Sequence, residues 1–206
     1  MPASLSTTID HPSALPQASP GARRPARGPR RAALAAPAVC AALFAAGCAS
    51  IGGGDGGGAT AVALESRSGS SVTGNLQLKD SGAGLRITGE VRGLAPGSEH
   101  GFHVHEKGDC SAQDASSAGG HFNPGAAAHG RAGSGAPHHA GDMPNIRADA
   151  RGVAKVDQTV AGVTLAADAT GAGGRALVVH RDPDDYTSQP AGNSGPRVAC
   201  GVIPAK

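Results

Sequence analysis

Aromatic side chains are scarce in this 206-residue chain, which has no tryptophan, one tyrosine and three phenylalanines. A core built from it must rest on Val, Leu, Ile and Ala. The same scarcity removes the stacking platforms that single-stranded nucleic acids use. Charge of one sign is also lacking, the formal net charge being +2. Residues 1–47 hold five of the 18 basic groups and one of the 16 acidic ones, so the remainder sits at about −2. No basic patch survives without that segment, and nucleic acid is not an expected partner. Long apolar runs are absent too. The longest, AALAAPAVCAALFAAG before Cys48, is short and interrupted by proline, which does not suit a membrane span.

That run follows RRPARGPRR (residues 23–31), with five arginines. A basic segment, an apolar stretch of about 15 residues and small residues at its end describe an export signal. Ala45-Ala46-Gly47-Cys48 resembles a bacterial lipobox, with alanine where leucine is commonest; Cys48 would then become the lipidated first residue. The organisation predicted is an export signal over 1–47, a Gly-rich tether over 48–59 and one domain over 60–206. The tether, SIGGGDGGG at its centre, is flexible by composition. The expected location is the periplasm, with a lipid anchor as the only membrane contact.

Within the domain the apolar period is two. Leu76 and Leu78 alternate with Gln77 and Lys79; Leu85, Ile87 and Val91 alternate with Arg86, Thr88, Glu90 and Arg92. These are half-buried strands, and 153–163 and 176–179 read as further ones. No long helical period appears. The fold class is all-β.

Seven of the nine histidines fall between His100 and Asp142. His103 and His105 flank Val104 in an extended setting, so both rings share one strand face, about 7 Å apart at Cα, while Val104 turns to the core. Read alone, the pair is either half of a metal site or two solvated histidines. His121, His129, His139 and Asp142 sit in a Gly/Ala/Pro-rich loop with little apolar content. Structureless connections beyond about 15 residues are uncommon, so something must hold it. Three imidazoles and a carboxylate suit tetrahedral zinc; the other reading is a flexible His-rich tract.

The strings GFHVHEKGDC (101–110), GGHFNPG (119–125), HHAGD (138–142), GRALVVHRDPDD (174–185) and GNSGPRVACGVI (192–203) resemble the copper/zinc superoxide dismutases, specifically their bacterial periplasmic branch. The resemblance covers roughly residues 60–206 and implies a flattened eight-stranded Greek-key β-barrel or sandwich with long metal-binding loops. It implies copper on His103, His105, His121 and His180, and zinc on His121, His129, His139 and Asp142. His121 would be the shared imidazolate. The family places a histidine three residues before the aspartate, which selects His139 over His138, and it keeps His100 as a structural residue.

The implied reaction is dismutation of superoxide anion to dioxygen and hydrogen peroxide, with copper cycling between Cu(II) and Cu(I) and His121 carrying the proton. Asp184 would bond His103 and His129. Arg197 would attract and orient the anion. The family joins Cys110 to Cys200 by a disulfide, which persists only where the environment is oxidising. Lys107 is a candidate for steering the anion. The other functional readings are a non-catalytic copper or zinc carrier in the periplasm, and a lipoprotein that merely keeps the fold. Monomer and homodimer are both open.

Overall fold

The computed structural model describes residues 58–205; the expected export signal, Cys48 and most of the tether lie outside the described residues. Strands form where apolar and polar residues alternate. β1 (Thr60–Ser66), β2 (Thr73–Ser81) and β3 (Gly84–Arg92) are joined by short turns and pair antiparallel, with Leu78 opposite Ile87. Gly74, Leu76 and Leu78 point inward while Asn75, Gln77 and Lys79 face solvent, as the period-two pattern predicts. β4 (Glu99–His100) and β5 (Phe102–His105) follow, then β6 (Ile146–Arg147), β7 (Val153–Ala161), β8 (Ala176–His180) and β9 (Arg197–Val202).

The main sheet runs β5-β8-β9-β1-β2-β3-β7, all antiparallel, with β9 lying beside β1 in Greek-key fashion. A short β4–β6 pair and an isolated bridge from Ala148 to Ala154 of β7 lie outside the main sheet's ladders. Counting β4 and β5 as one strand interrupted at Gly101 gives the eight strands expected. At Gly101 the backbone changes partner from β6 to the end of β8, its N–H donating to Asp182 O and its carbonyl accepting from His180 N–H, and a Cβ there would lie 2.8 Å from Ser194 Oγ.

The core is aliphatic, built on Leu76, Leu78, Leu85, Ile87, Val91, Leu177 and Ile203, with Phe102 as the one large ring contributed by a strand. Two more members come from the connections. Phe122 and Met143, at 2% and 1% exposure, carry the histidine-rich loop into the core. The loop is therefore not held by ligands alone, contrary to what its composition suggested; two well-placed apolar residues anchor its ends. A second, smaller cluster of Cys110, Ala115, Ala118, Ala176, Val178 and Cys200 packs on the other face of β8 and β9. β8 is buried on both faces because Leu177 and Val179 enter the main core while Ala176 and Val178 enter this cluster.

Candidate metal centre

His103 and His105 lie on the face of β5 opposite Phe102 and Val104, which fill the core. In register, His103 is opposite Val178 and His105 opposite Ala176, so His180 at the end of β8 belongs to the same outer face. A bulge follows Val179, and it sets His180 directly across from Arg197 on β9. Bulges of this kind re-aim side chains beside functional sites. The free edge of β5 is taken by the loop: Phe122 N–H donates to Val104 O at 2.8 Å and Val104 N–H to Gly141 O at 3.0 Å. These bonds bring His121 against β5, where it bridges His105.

Two four-residue groups result, His103/His105/His121/His180 and His121/His129/His139/Asp142, each with its donor atoms within 4.8 Å of one another and all buried. His121 belongs to both. Its Nδ1 lies 2.8 Å from Asp142 Oδ1, whereas its Nε2 is buried without a hydrogen-bond partner.

The proton positions follow from the partners. His105 Nδ1–H donates to Gly119 O at 3.0 Å and His180 Nδ1–H to Gly195 O at 3.2 Å, since a carbonyl can only accept. Their Nε2 atoms therefore face each other as lone pairs 3.2 Å apart, an arrangement that a cation relieves. His103 donates Nε2–H to Asp184 Oδ2 at 2.9 Å, leaving Nδ1 buried and unpartnered. Four inward lone pairs with no proton among them fit a metal ion that accepts imidazole.

The second group fits as well. Asp142 Oδ2 accepts from the Gly130 and His139 amides at 3.1 and 2.8 Å. Its Oδ1 faces Nδ1 of His121, His129 and His139 at 2.8, 3.0 and 3.4 Å. Three nitrogens and one oxygen converging from a fixed loop are a tetrahedral zinc set.

Burial, followed by the neighbouring histidines, pushes His103 and His105 well below the ordinary imidazole value. Burial also lowers His180 to about 4 and pushes His139 down. Burial alone would raise the Asp142 carboxyl, but hydrogen bonds from His121 and the two amides hold it well below the usual range. At neutral pH His103, His105, His139 and His180 are thus held neutral and Asp142 is held as a carboxylate, the forms that bind metal.

Asp184 stands between the groups, accepting from His103 on Oδ2 and from His129 on Oδ1, at 2.9 and 3.0 Å. Both rings were expected from the resemblance. Gly192 makes room for this contact, since a Cβ there would fall 1.8 Å from Asp184 Oδ1. Asp184→Asn leaves one ring facing an amide N–H, and we expect metal affinity to fall 10–100-fold, measured by competition with chelators. Affinity within twofold of the parent would contradict that role.

Arg197 donates to the carbonyls of Ala115 and Gly119, and the same Gly119 carbonyl accepts from His105. It lines a surface cleft with Ser68, Asp114, Ser116, Gly195 and Pro196. The guanidinium is half-buried and one carbonyl away from the histidine group. Cys110 and Cys200 are disulfide-bonded, with Cα atoms 5.8 Å apart.

Residues 72–203 match the family described as copper/zinc superoxide dismutase (SODC). The chain belongs to the copper/zinc superoxide dismutase family. Two relatives from Aquifex aeolicus, superoxide dismutase [Cu-Zn] 2 and 1, are each 45% identical to this dismutase-family chain. The first match spans 136 residues, 64% of this chain and 79% of the relative; the second spans 134, 63% and 79%. The crystal structure of a SOD-like protein from Bacillus subtilis superposes with a TM-score of 0.64 at 38% identity. It covers 70% of this chain and 97% of its own.

Of the supports of this dismutase centre, His100 was expected from the resemblance and the others left no mark in the sequence. His100 donates Nδ1–H to the His180 carbonyl at 2.9 Å and meets Ser98 Oγ with its other nitrogen. Asn145 pairs with both backbone groups of Asp184, at 2.9 and 3.0 Å. Gln189 does the same for His129, accepting from its N–H and donating to its carbonyl, both at 2.9 Å. A polar loop residue bonded to backbone has no spacing signature, so only His100, beside the histidine pair, drew notice.

Proposed function

We propose that this protein is a superoxide dismutase that holds copper on His103, His105, His121 and His180, and zinc on His121, His129, His139 and Asp142. The observation that carries the reading is one buried ring, His121, whose two nitrogens face two different donor sets. Copper, when bound, supplies one-electron exchange between Cu(II) and Cu(I), and zinc supplies a fixed positive charge. The overall change takes two superoxide anions and two protons to dioxygen and hydrogen peroxide.

The chain's own residues do the rest. Arg197, opposite His180 across the sheet, receives the anion at the cleft and orients it beside the histidine group. His121, with Nδ1 held toward Asp142, has Nε2 as its free proton site, and that atom faces the other three histidines. His121 therefore holds a proton at Nε2 and delivers it to the peroxide product. Asp184 fixes the tautomers of His103 and His129, so neither competes for that proton. A metal carrier needs the ligands alone; an arginine seated across from His180 serves an anionic substrate.

The test is the full chain loaded with copper and zinc. One equivalent of each, with rapid cyanide-sensitive dismutation, is the expected result; full metal with no dismutation would leave only carriage. Export and anchoring rest on RRPARGPRR, the apolar run and the Ala-Ala-Gly-Cys48 string. We assign the mature protein to the periplasm, tethered through lipidated Cys48. Cys48→Ser should move it from the detergent phase to the aqueous phase on detergent partitioning. Equal partitioning of variant and parent would reject the anchor. Sedimentation of the anchor-free form distinguishes a monomer from a homodimer.

A further inference from the structure

The ladder between β1 and β9 ends at Ser66 opposite Ala199, short of Arg197. Beyond it the β1–β2 turn takes over. Arg67 N–H donates to Val198 O at 2.9 Å, Ser70 Oγ–H to the same carbonyl at 2.6 Å, and Ser68 Oγ–H to Arg197 O at 2.8 Å. The turn holds a second segment as well. Ser68 N–H donates to Gln113 O at 2.8 Å and Arg67 Nε–H to Cys110 O at 2.9 Å. That segment leads to Ala115, whose carbonyl accepts from the Arg197 guanidinium. The backbone of Arg197 and one anchor of its side chain are therefore tied to a single turn.

Both ties meet at Ser68, which stands in an uncommon conformation. Ser68 and Gly69 have φ of +52° and +70°, with Ser70 N–H donating to Arg67 O at 2.9 Å. Two left-handed central residues make a type I′ turn, whose first position favours Asn, Asp or Gly. A serine there is held against local preference, yet its hydroxyl bonds nothing within the turn and reaches a carbonyl 129 residues away. Such departures mark places where the surrounding structure uses the residue. Ser68 also lines the cleft that Arg197 lines, together with Asp114 and Ser116.

We propose that Ser68 is a positioning residue for Arg197, setting the guanidinium in the cleft by holding the arginine's own carbonyl and the segment before Ala115 in fixed register. The proposal rests on the reading of Arg197 as the group that orients the anion. Ser68 is exposed and water competes for its hydroxyl, so the effect is severalfold and not absolute.

The test uses the full chain, disulfide intact and loaded with copper and zinc, with azide as the probe. Azide is a stable anion whose charge-transfer band reports its binding to copper(II). Ser68→Gly keeps the left-handed turn and removes only the hydroxyl. Its azide dissociation constant should rise by about two- to fivefold at unchanged metal content, the effect of one exposed hydrogen bond. In an Arg197→Ala background the same change should have no effect, because the group it positions is gone. An unchanged constant in Ser68→Gly would overturn the proposal. So would an equal loss in both backgrounds, which would make the turn a general support of the copper group. Arg197→Ala alone leaving azide affinity unchanged would instead reject the reading of Arg197, and the positioning role with it.

Discussion

His121→Ala should lower superoxide dismutation by about 10²–10⁴-fold at equal metal content, the range for removing a positioned proton donor. The size follows from the position of the ring. It is the one side chain common to both groups, with Nδ1 on Asp142 and Nε2 among His103, His105 and His180. Each group keeps three of its four ligands in the variant, so weakened copper and zinc binding should be recoverable at high metal concentration. The proton site is not recoverable, because the inward nitrogens of His103, His105 and His180 would stay on copper while their second nitrogens are directed to Asp184, Gly119 and Gly195. Stopped-flow decay of superoxide, normalised to bound copper, measures the effect. Activity within tenfold of the parent would show that protons reach the product by another path.

The second large effect concerns stability. Breaking the Cys110–Cys200 bond, as in the double alanine variant, frees a loop spanning 90 residues. In the chain-entropy treatment that costs about 4–5 kcal/mol, a fall in Tm on the order of 10–20 °C for a domain of this size. Activity should fall as well, for a local reason. The bond sits in the small cluster with Ala115 and Ala118, and Arg197 is held by the carbonyls of Ala115 and Gly119. Loosening that segment releases both the arginine and the carbonyl that orients His105. Calorimetry of the metal-loaded variant gives the first quantity and dismutation the second. A Tm shift of only a few degrees would mean that packing in the small cluster, rather than the bond, holds the segment.

What was legible in advance divides along physical lines. The period of two is a property of the backbone, so the shared face of His103 and His105 and the burial of Val104 could be read directly. The aliphatic core followed from the missing tryptophan. The shared histidine, the Asp184 contacts and the disulfide came through the resemblance, since nothing in local spacing pairs residues so far apart. The anchoring of the loop by Phe122 and Met143 was not legible, because two isolated apolar residues in a Gly/Ala-rich stretch carry no period. Nor was the bulge after Val179, which places Arg197 opposite His180. A one-residue slip in a ladder is set by both strands together and shows in neither alone. The backbone contacts of Asn145 and Gln189 were silent for a related reason: their partners are peptide groups, which every residue has.

The proposed function requires that His121 hold both metals through one ring, and magnetic coupling reads that directly. With copper(II) in the first group and zinc in the second, the full chain should give an ordinary copper electron paramagnetic resonance signal. With cobalt(II) replacing zinc, a shared imidazolate would couple the two spins and the copper signal should largely disappear, returning in His121→Ala. A copper signal of full intensity beside stoichiometric cobalt in the parent protein would contradict the bridge.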